Sequence, residues 1–542
     1  MPTGLMPTGP DLSLLNWMLA ALPVVVLVVA IMRLRWSAPR AGGASWLVAT
    51  GLALWHFGGS AESTAIASAK GLSLAIFVLT ILWASVYMYN LVDRLKGIEA
   101  IGRTMARIVD DRTGQALLIA WGLASFIQGI TGFGVPVAVA TPLLVMMGFS
   151  PARAAVMVLI GHGWAVTFGS MGSSYYTIQL VSGVPGDEIG PHMALLFAPL
   201  IVASGLMVAH IHGGMAAVRR SAGLVAVVGT AMAVAMWAMA WAGAPQIASS
   251  VPGLIAIAGI GFGARTPLLR REQVAAPVAV GTGPLVDAPP GTRRMSFHLG
   301  FLPYYLLIAL SIISQIGPVK DAARGLSLGL DYPSFVTSEG FRVAGATDYA
   351  VLRLLNHPAP LIVVAVIVSM GAFAAAGYWK RGVAWEAARL TYRQSMSTTI
   401  GVGTMVMMAL VMSDTGLTVL LAEGIAKASG PVFPLISPFI GLLGSFMTGS
   451  NTNSNVLFGV LQVETAKSLG IGTVTIASVQ SIGASVGSSM APAKVLVGAA
   501  LTGMADREHE IMRLVVPYVL ALALLTGIVA IVLVEAIPGW TR

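Results

Sequence analysis

Cysteine and charged residues are the two shortages that first constrain this sequence. None of the 542 residues is cysteine, which excludes disulfides, thiol catalysis and thiolate-bound metals. Only 10% of the residues are charged and 56% are hydrophobic, whereas a soluble domain has about 25% and about 45–50%. So few charges cannot cover a water-facing surface. The composition therefore excludes a soluble enzyme, a disordered regulator and a nucleic-acid-binding protein, and it predicts a polytopic integral membrane protein.

The sequence also lacks the motifs of nucleotide-driven pumps and of common metalloproteases. It contains no Walker-type Gly-x4-Gly-Lys-Ser/Thr loop and no His-Glu-x-x-His pair. Neutral amides and hydroxyls dominate its polar motifs, and these are poor acid–base groups for an intramembrane enzyme. We therefore predict no enzymatic activity, no cofactor and no metal. An anion channel stays open as an alternative to a secondary transporter.

Long apolar runs give the fold class. A membrane-spanning helix needs about 20 mostly apolar residues, and the runs predict an all-α polytopic protein with about 12–14 transmembrane segments. Clear candidates are 14–32, 71–91, 190–210, 223–243, 360–378, 397–414 and 514–536. Shorter candidates, interrupted by Gly or Pro, include 115–128, 134–148, 153–172, 433–448, 454–463, 471–489 and 493–504. Interrupted segments are the better guide to a transporter's binding site.

The basic residues predict the topology. The net charge is +9, and most Lys and Arg residues fall in loops that can all lie on one side of the membrane. The positive-inside rule puts those loops in the cytoplasm and both termini outside. The lack of recognisable targeting signals predicts a plasma membrane of bacterial type. The charged stretches 93–113 and 380–396 are predicted as interfacial amphipathic helices or, alternatively, as solvated loops. The stretch 317–345 is predicted as an external loop.

The chain is predicted to have two membrane halves. The first half is 1–264 with a site motif at 128–174, the cytoplasmic linker is 265–297, and the second half is 298–542 with a site motif at 448–494. Each motif repeats one layout, in which a polar, glycine-rich break between apolar segments is followed by a second break. Because the two motifs are approached from opposite faces, they predict two inverted repeats, each with a re-entrant hairpin and a broken helix.

The breaks have the chemistry of an anion site. Non-helical backbone persists in lipid only where protein or water satisfies it, and helix N-termini offer free N–H groups to an anion. Close packing through small residues is the structural alternative, but the polar side chains are too dense for packing alone. The predicted substrate-binding residues are Gln128, Thr131, Gly132, Gly134, Ser170, Ser173, Gly449, Ser450, Asn451, Thr452, Asn453, Asn455, Gln480, Ser485 and Lys494.

At these motifs the sequence resembles the L-lactate permease family. The matching residues are Gly129-Ile-Thr-Gly-Phe-Gly-Val-Pro136, Phe168-Gly-Ser-Met-Gly172, Thr448-Gly-Ser-Asn-Thr-Asn-Ser-Asn455 and Ala491-Pro-Ala-Lys494. The resemblance covers nearly the whole chain. It implies proton-coupled symport of short 2-hydroxymonocarboxylates such as L-lactate, D-lactate or glycolate, and kinship with carboxylate transporters that use an elevator movement. The family often has Glu where this chain has Gln128, and some members have Asp where it has Asn451.

Few ionisable residues fall near the breaks, and these are rare and usually functional in membranes. His162 and Asp414 are the candidates for the coupling ion, which is H⁺ by the resemblance or Na⁺ by the neutral composition of the motifs. Arg353 lies in a semi-polar stretch, 346–358, that is predicted to re-enter the membrane. The predicted partners are a small organic anion and the lipid bilayer, with a possible homodimer and no nucleic acid. A sodium-coupled transporter of another organic anion is the alternative function.

Overall fold

Apolar helices make up most of the computed structural model. It describes residues 11–105, 108–132, 134–266, 295–319, 326–354, 357–504 and 507–536. Within these ranges ten helical stretches are long and apolar enough to cross a membrane, or up to eleven when a bent pair is counted as one span. This confirms the predicted helical multi-pass class. The predicted 12–14 segments also counted shorter helices such as Val135–Met146 and Phe297–Ile313, and counted as two spans the helical stretch Gly186–Trp241, which is kinked at Gly213 and Gly214.

The elements follow one another along the chain. The first ten helices are α1 Leu14–Met32, α2 Ala38–Trp55, α3 Ala61–Arg94, α4 Gly97–Met105, α5 Arg112–Ile130, α6 Val135–Met146, α7 Pro151–Gly161, α8 Gly169–Ser182, α9 Gly186–Trp241 and α10 Ser250–Gly263. The remaining elements are α11 Phe297–Ile313, β1 Ser327–Tyr332, β2 Phe335–Val336, β3 Arg342–Val343, β4 Ala346–Arg353, α12 Pro358–Ala375, α13 Val383–Asp414, α14 Leu417–Ser429, α15 Phe433–Thr448, α16 Asn451–Leu469, α17 Thr473–Gly487, α18 Pro492–Leu501 and α19 Glu508–Ala536.

Three long helices form what we call the scaffold: α2, α3 and α13. The last of these packs along both of the others. It also corrects the prediction for 380–396, because one continuous helix runs from Val383 to Asp414 in place of a separate interfacial helix. The sequence contains neither Gly nor Pro between Val383 and Gly401, so nothing local ends the helix there.

The two predicted motifs form two units with the same order of elements. In the first unit, a hairpin of α5 and α6 is followed by a helix broken between α7 and α8, whose halves differ in direction by 50°. In the second unit, the hairpin is α15 and α16, and the broken helix is α17 and α18. The two units contact each other through α8 and α16. Their inversion across the membrane stays a prediction.

Short strands replace part of the irregular loop predicted at 317–345, and the external position of this segment stays a prediction. An antiparallel pair joins β1 to β4, with Ser327 opposite Arg353, and a second pair joins β2 to β3. The predicted re-entrant stretch 346–358 is therefore mostly strand, and Arg353 is an exposed residue at its end. The linker residues 267–294 lie outside the described residues.

Candidate functional site

The tip of the first hairpin turns on two glycines. The helix α5 ends at Ile130, and Gly132 and Gly134 then adopt φ of +66° and +82°. L side chains rarely adopt this left-handed region. A Cβ on Gly132 would overlap the hydroxyl of Ser170, so this position also needs glycine for space. The chain then enters α6 with a proline in its first turn.

The tip of the second hairpin presents a helix N-terminus. Gly449 has φ of +74° and ends α15, and Ser450 is the N-cap of α16, accepting a hydrogen bond from the amide of Asn453. The first turn of α16 is therefore the polar run that the sequence singled out. A helix N-terminus carries partial positive charge and free N–H groups, which favour an anion.

Backbone strain marks the first broken helix. Ser170 and Met171 have φ of +48° and +56° and are followed by Gly172 at +77°. Residues other than glycine are uncommon in this region, and such strain persists only where the surroundings enforce it. It places the Ser170 side chain toward the tip of the first hairpin.

The second broken helix carries a buried cation. A short 3₁₀ turn, Ser488–Met490, separates α17 from α18, and Lys494 lies in the first turn of α18. Its side chain is buried, and Nζ donates a hydrogen bond to the Ser488 hydroxyl at 3.0 Å. A lysine in the first turn opposes the helix dipole, so a bound anion would relieve this repulsion.

The two tips and the two breaks surround one cavity of about 320 Å³, which we call the polar cavity. Its lining residues are Ala38, Gln128, Gly134, Val166, Ser170, Ser173, Ser174, Ser397, Thr398, Thr448, Gly449, Ser450, Asn451, Thr452, Asn453, Ala493, Lys494 and Val497. Among these described residues none is acidic, and Lys494 is the single basic one. The volume lies at the lower end of the range for small-molecule sites.

Most of the predicted substrate-binding residues line this cavity. Those that line it are Gln128, Gly134, Ser170, Ser173, Gly449, Ser450, Asn451, Thr452, Asn453 and Lys494. Thr131, Gly132, Asn455, Gln480 and Ser485 are buried nearby but are not among its lining residues. Gln480 instead donates to the Ser454 carbonyl at 3.1 Å and is occupied within the second unit. Substrate binding itself stays a prediction for all of them.

Hydrogen bonds cross between the two units beside the cavity. The Asn451 amide donates to the Thr167 hydroxyl at 2.9 Å, and the Asn455 amide donates to the Ser174 carbonyl at 3.0 Å. The hydroxyls of Ser174 and Thr452 share another hydrogen bond at 2.9 Å. Such buried networks rigidify the parts that they join. The two units therefore meet as one body at the site.

Several buried side-chain oxygens around the cavity have no hydrogen-bond partner within the described part of the chain. They include Oε1 of Gln128 and Oδ1 of Asn451 and Asn453. For Asn451 a second hydrogen bond fixes which side-chain atom is nitrogen. The Ser481 carbonyl, 3.3 Å away, can only accept, so the atom that faces it is the amide nitrogen and the other atom is Oδ1. Unpartnered buried acceptors are costly in a fold unless they serve a ligand or bind water.

His162 lies in the unwound segment after α7, outside the residues that line the cavity. It is fully buried, and Nδ1 lies 2.5 Å from the carbonyl oxygen of Val158. The carbonyl can only accept, so Nδ1 carries a proton. The other ring nitrogen, Nε2, has no partner among the described residues. Its predicted part in ion coupling stays a prediction.

Asp414 is paired with a lysine that the sequence analysis did not consider. The Asp414 carboxylate lies 2.8 Å from Nζ of Lys70 on α3, and both side chains are about nine-tenths buried. The pair joins α3 to the end of α13 within the scaffold. Asp414 is not among the described residues that line the polar cavity, and its coupling role also stays a prediction.

Residues 483–487 have the Gly-x-Ser-x-Gly spacing of a hydrolase nucleophile elbow. In such enzymes the serine sits on a sharp turn between a strand and a helix. Here Ser485 lies inside α17, and its hydroxyl donates to the Gly163 carbonyl at 2.7 Å. The serine is an interhelical contact and not a nucleophile elbow.

Ser397 and Thr398 of the scaffold helix α13 are cavity residues that sequence reasoning missed. Their segment was predicted as an ordinary span, 397–414. The signal that could have found them is the hydroxyl-rich run Ser395-Met-Ser-Thr-Thr399 at the head of that apolar segment. A polar cluster at membrane depth is expected to face protein or water.

The chain is similar to several known proteins. The family model described as L-lactate permease matches residues 16–537. An L-lactate permease of Bacillus subtilis is 26% identical over 96% of this chain and 96% of its own, and the glycolate permease GlcA of Escherichia coli is 26% identical over 97% of each. A solved structure of the YdaH transporter from Alcanivorax borkumensis covers 98% of this chain at 15% identity, with a TM-score of 0.43.

Paired hairpins and broken helices around one polar cavity, within a multi-pass helical protein, define a membrane transporter. The family and the relatives that the chain matches are permeases and not enzymes. The chain belongs to the L-lactate permease family.

Proposed function

We propose that this protein is a secondary transporter that carries short 2-hydroxymonocarboxylates, such as L-lactate, D-lactate or glycolate, across the plasma membrane. The observation that carries the proposal is Lys494, a single buried cation in a cavity whose other polar side chains are neutral. The similarity to an L-lactate permease and to a glycolate permease supports the choice of substrate.

The carboxylate would lie between Lys494 and the N-terminus of α16. Charge-assisted hydrogen bonds from an ammonium group and from backbone N–H groups are the strong interactions available to an anion. The unpartnered oxygens of Asn451 and Asn453 can accept a hydrogen bond from the 2-hydroxyl group, which a simple fatty acid lacks. This pairing explains why an anion site would contain acceptors as well as donors.

Coupling to an inward proton gradient is the second part of the proposal. Proton coupling is the expectation for the family, and His162 is an ionisable residue in the unwound segment of the first broken helix. Sodium coupling is the competing possibility, which the unpartnered amide oxygens near the cavity favour because hard cations bind oxygen. We also propose that the two units move against the scaffold during transport. A homodimeric state is a further proposal.

Uptake by the purified protein in proteoliposomes tests the function. Labelled L-lactate and glycolate are supplied under an imposed proton gradient, under an imposed sodium gradient, or with neither. We expect saturable uptake that the inward proton gradient accelerates. Uptake of another organic anion but of neither hydroxy acid would overturn the substrate. Acceleration by sodium alone would overturn the proton coupling.

A further inference from the structure

A second cavity adjoins the polar cavity on the other side of the first hairpin. Its volume is about 300 Å³. Its lining residues are Leu82, Val86, Tyr89, Thr131, Val135, Gln394, Ser395 and Thr398. Thr398 lines both cavities, and the tip of the first hairpin contributes Gly134 to one and Thr131 to the other. Thr398 therefore borders both spaces, beside that tip.

One face of α13 carries a polar strip along this second cavity. Thr391, Ser395 and Thr398 are spaced four and three residues apart, so they share a helix face with Gln394 beside them. On the neighbouring helix, the Asn90 amide donates to the Thr391 hydroxyl at 3.0 Å and to the Gln394 side-chain oxygen at 2.8 Å. The strip thus spans the gap between two scaffold helices.

Ser395 is the unusual member of the strip. The hydroxyls of Thr391 and Thr399 donate to the carbonyl one turn earlier, at 2.8 and 2.9 Å. The Ser395 hydroxyl, in a residue only 2% exposed, has no partner among the described residues, and neither has Oδ1 of Asn90. A buried polar group without a partner costs free energy unless a water molecule or a ligand can reach it, and Ser395 borders the second cavity.

The direction of this route follows from charge. Arg389 and Arg393 lie near the start of α13, and Arg94 at the end of α3 is 3.9 Å from Glu386 of α13. The basic ends of the two helices therefore lie on the same side, which the positive-inside rule makes cytoplasmic. Ser395 lies closer to that end than Thr398 does.

We propose that the second cavity is the passage through which the transported carboxylate moves between the polar cavity and the cytoplasm. The proposal rests on the proposed transport function. Ser395 and Gln394, which both line the second cavity, would offer hydroxyl and amide donors to the passing anion, and Thr398 would contact it in both spaces. None of these residues belongs to the glycine-rich motifs.

The cysteine-free chain allows a direct test by thiol accessibility. Ser395→Cys is prepared in membrane vesicles of either orientation and treated with a membrane-impermeant methanethiosulfonate. Ser369→Cys on α12 is the matched control, because Ser369 is also buried in a membrane helix but its hydroxyl donates to the Ala365 carbonyl at 2.7 Å. We expect the Ser395 variant to react from the cytoplasmic side at least about tenfold faster than the control.

Reaction as slow as that of the control, or reaction only from the outer side, would overturn the passage. Gln394→Cys, which lines the same cavity, replaces Ser395→Cys if that variant does not insert. In a second arm, L-lactate is expected to slow the modification of Thr398→Cys. If L-lactate leaves the labelling rate of Thr398→Cys unchanged while Ser395→Cys still reacts fast, the passage stands and lactate is not its substrate. The two proposals therefore fail separately.

Discussion

The ammonium nitrogen of Lys494 lies 3.0 Å from the Ser488 hydroxyl, across the break between two halves of one helix. This contact holds a buried charge at the wall of a cavity that is otherwise neutral. Isolated charges are costly in a membrane interior and usually serve a partner of opposite sign. A carboxylate in the cavity is the partner that the proposed function supplies.

Asn451→Ala should weaken substrate binding and also the hydrogen-bonded contact between the two units. The substitution removes the hydrogen bonds to Thr167 and Ser481 that join the two units, and it removes an unpartnered acceptor. We expect a loss of substrate affinity of about 1–3 kcal/mol, measured as KM for labelled lactate. Asn16→Ala, at the start of α1, is the control. Unaltered KM in the Asn451 variant would count against the binding role.

Gly132→Ala should impair transport more than Gly470→Ala does. Both glycines have φ of +66°, but a Cβ at Gly132 would meet the Ser170 hydroxyl whereas one at Gly470 would meet open space. Both variants therefore carry backbone strain of about 1–3 kcal/mol. Only the Gly132 variant, at the hairpin tip, adds the overlap between the new Cβ and the Ser170 hydroxyl. Uptake rates and thermal unfolding of both variants check this. Equal effects would show that the tip tolerates a side chain.

Asp414→Asn should destabilise the scaffold. It leaves Lys70 buried without its carboxylate, and breaking such a pair costs about 3–5 kcal/mol. Glu464→Gln, which breaks the exposed pair with Lys467, should cost less than about 1 kcal/mol. Unfolding temperatures in detergent measure the difference. A fully stable Asp414 variant that has lost gradient-driven uptake would instead identify Asp414 as a coupling residue.

His162→Gln should separate coupling from binding. His162 is not among the residues that line the cavity, so the variant is expected to retain substrate binding. It removes the titratable ring at the first break, so the acceleration by an inward proton gradient should disappear. Binding is measured by substrate-dependent thermal stabilisation, and coupling by uptake with and without the gradient. Undiminished acceleration would exclude His162 as the proton carrier.

Local sequence signals predicted the hairpin tips and breaks. Gly134, Gly449 and Lys494 occur in runs rich in glycine, proline and small polar residues, and such runs interrupt apolar helices. The pairing of Lys70 with Asp414 could not be predicted, since it joins helices 344 positions apart along the chain. Ser397 and Thr398 escaped for a related reason, because their role depends on α13 packing beside the two units. The short strands after α11 escaped because their mixed charges suggested a loop.

The central claim is that Lys494 binds the carboxylate, and its most direct test compares Lys494→Gln with Lys467→Gln in proteoliposomes. The second lysine is exposed on α16 and controls for the loss of a charge. Saturable lactate uptake by the Lys494 variant should show KM raised about 10- to 100-fold, the equivalent of a lost charged hydrogen bond, and Lys494→Arg should restore part of it. A correctly inserted Lys494→Gln protein with unchanged KM would contradict the account.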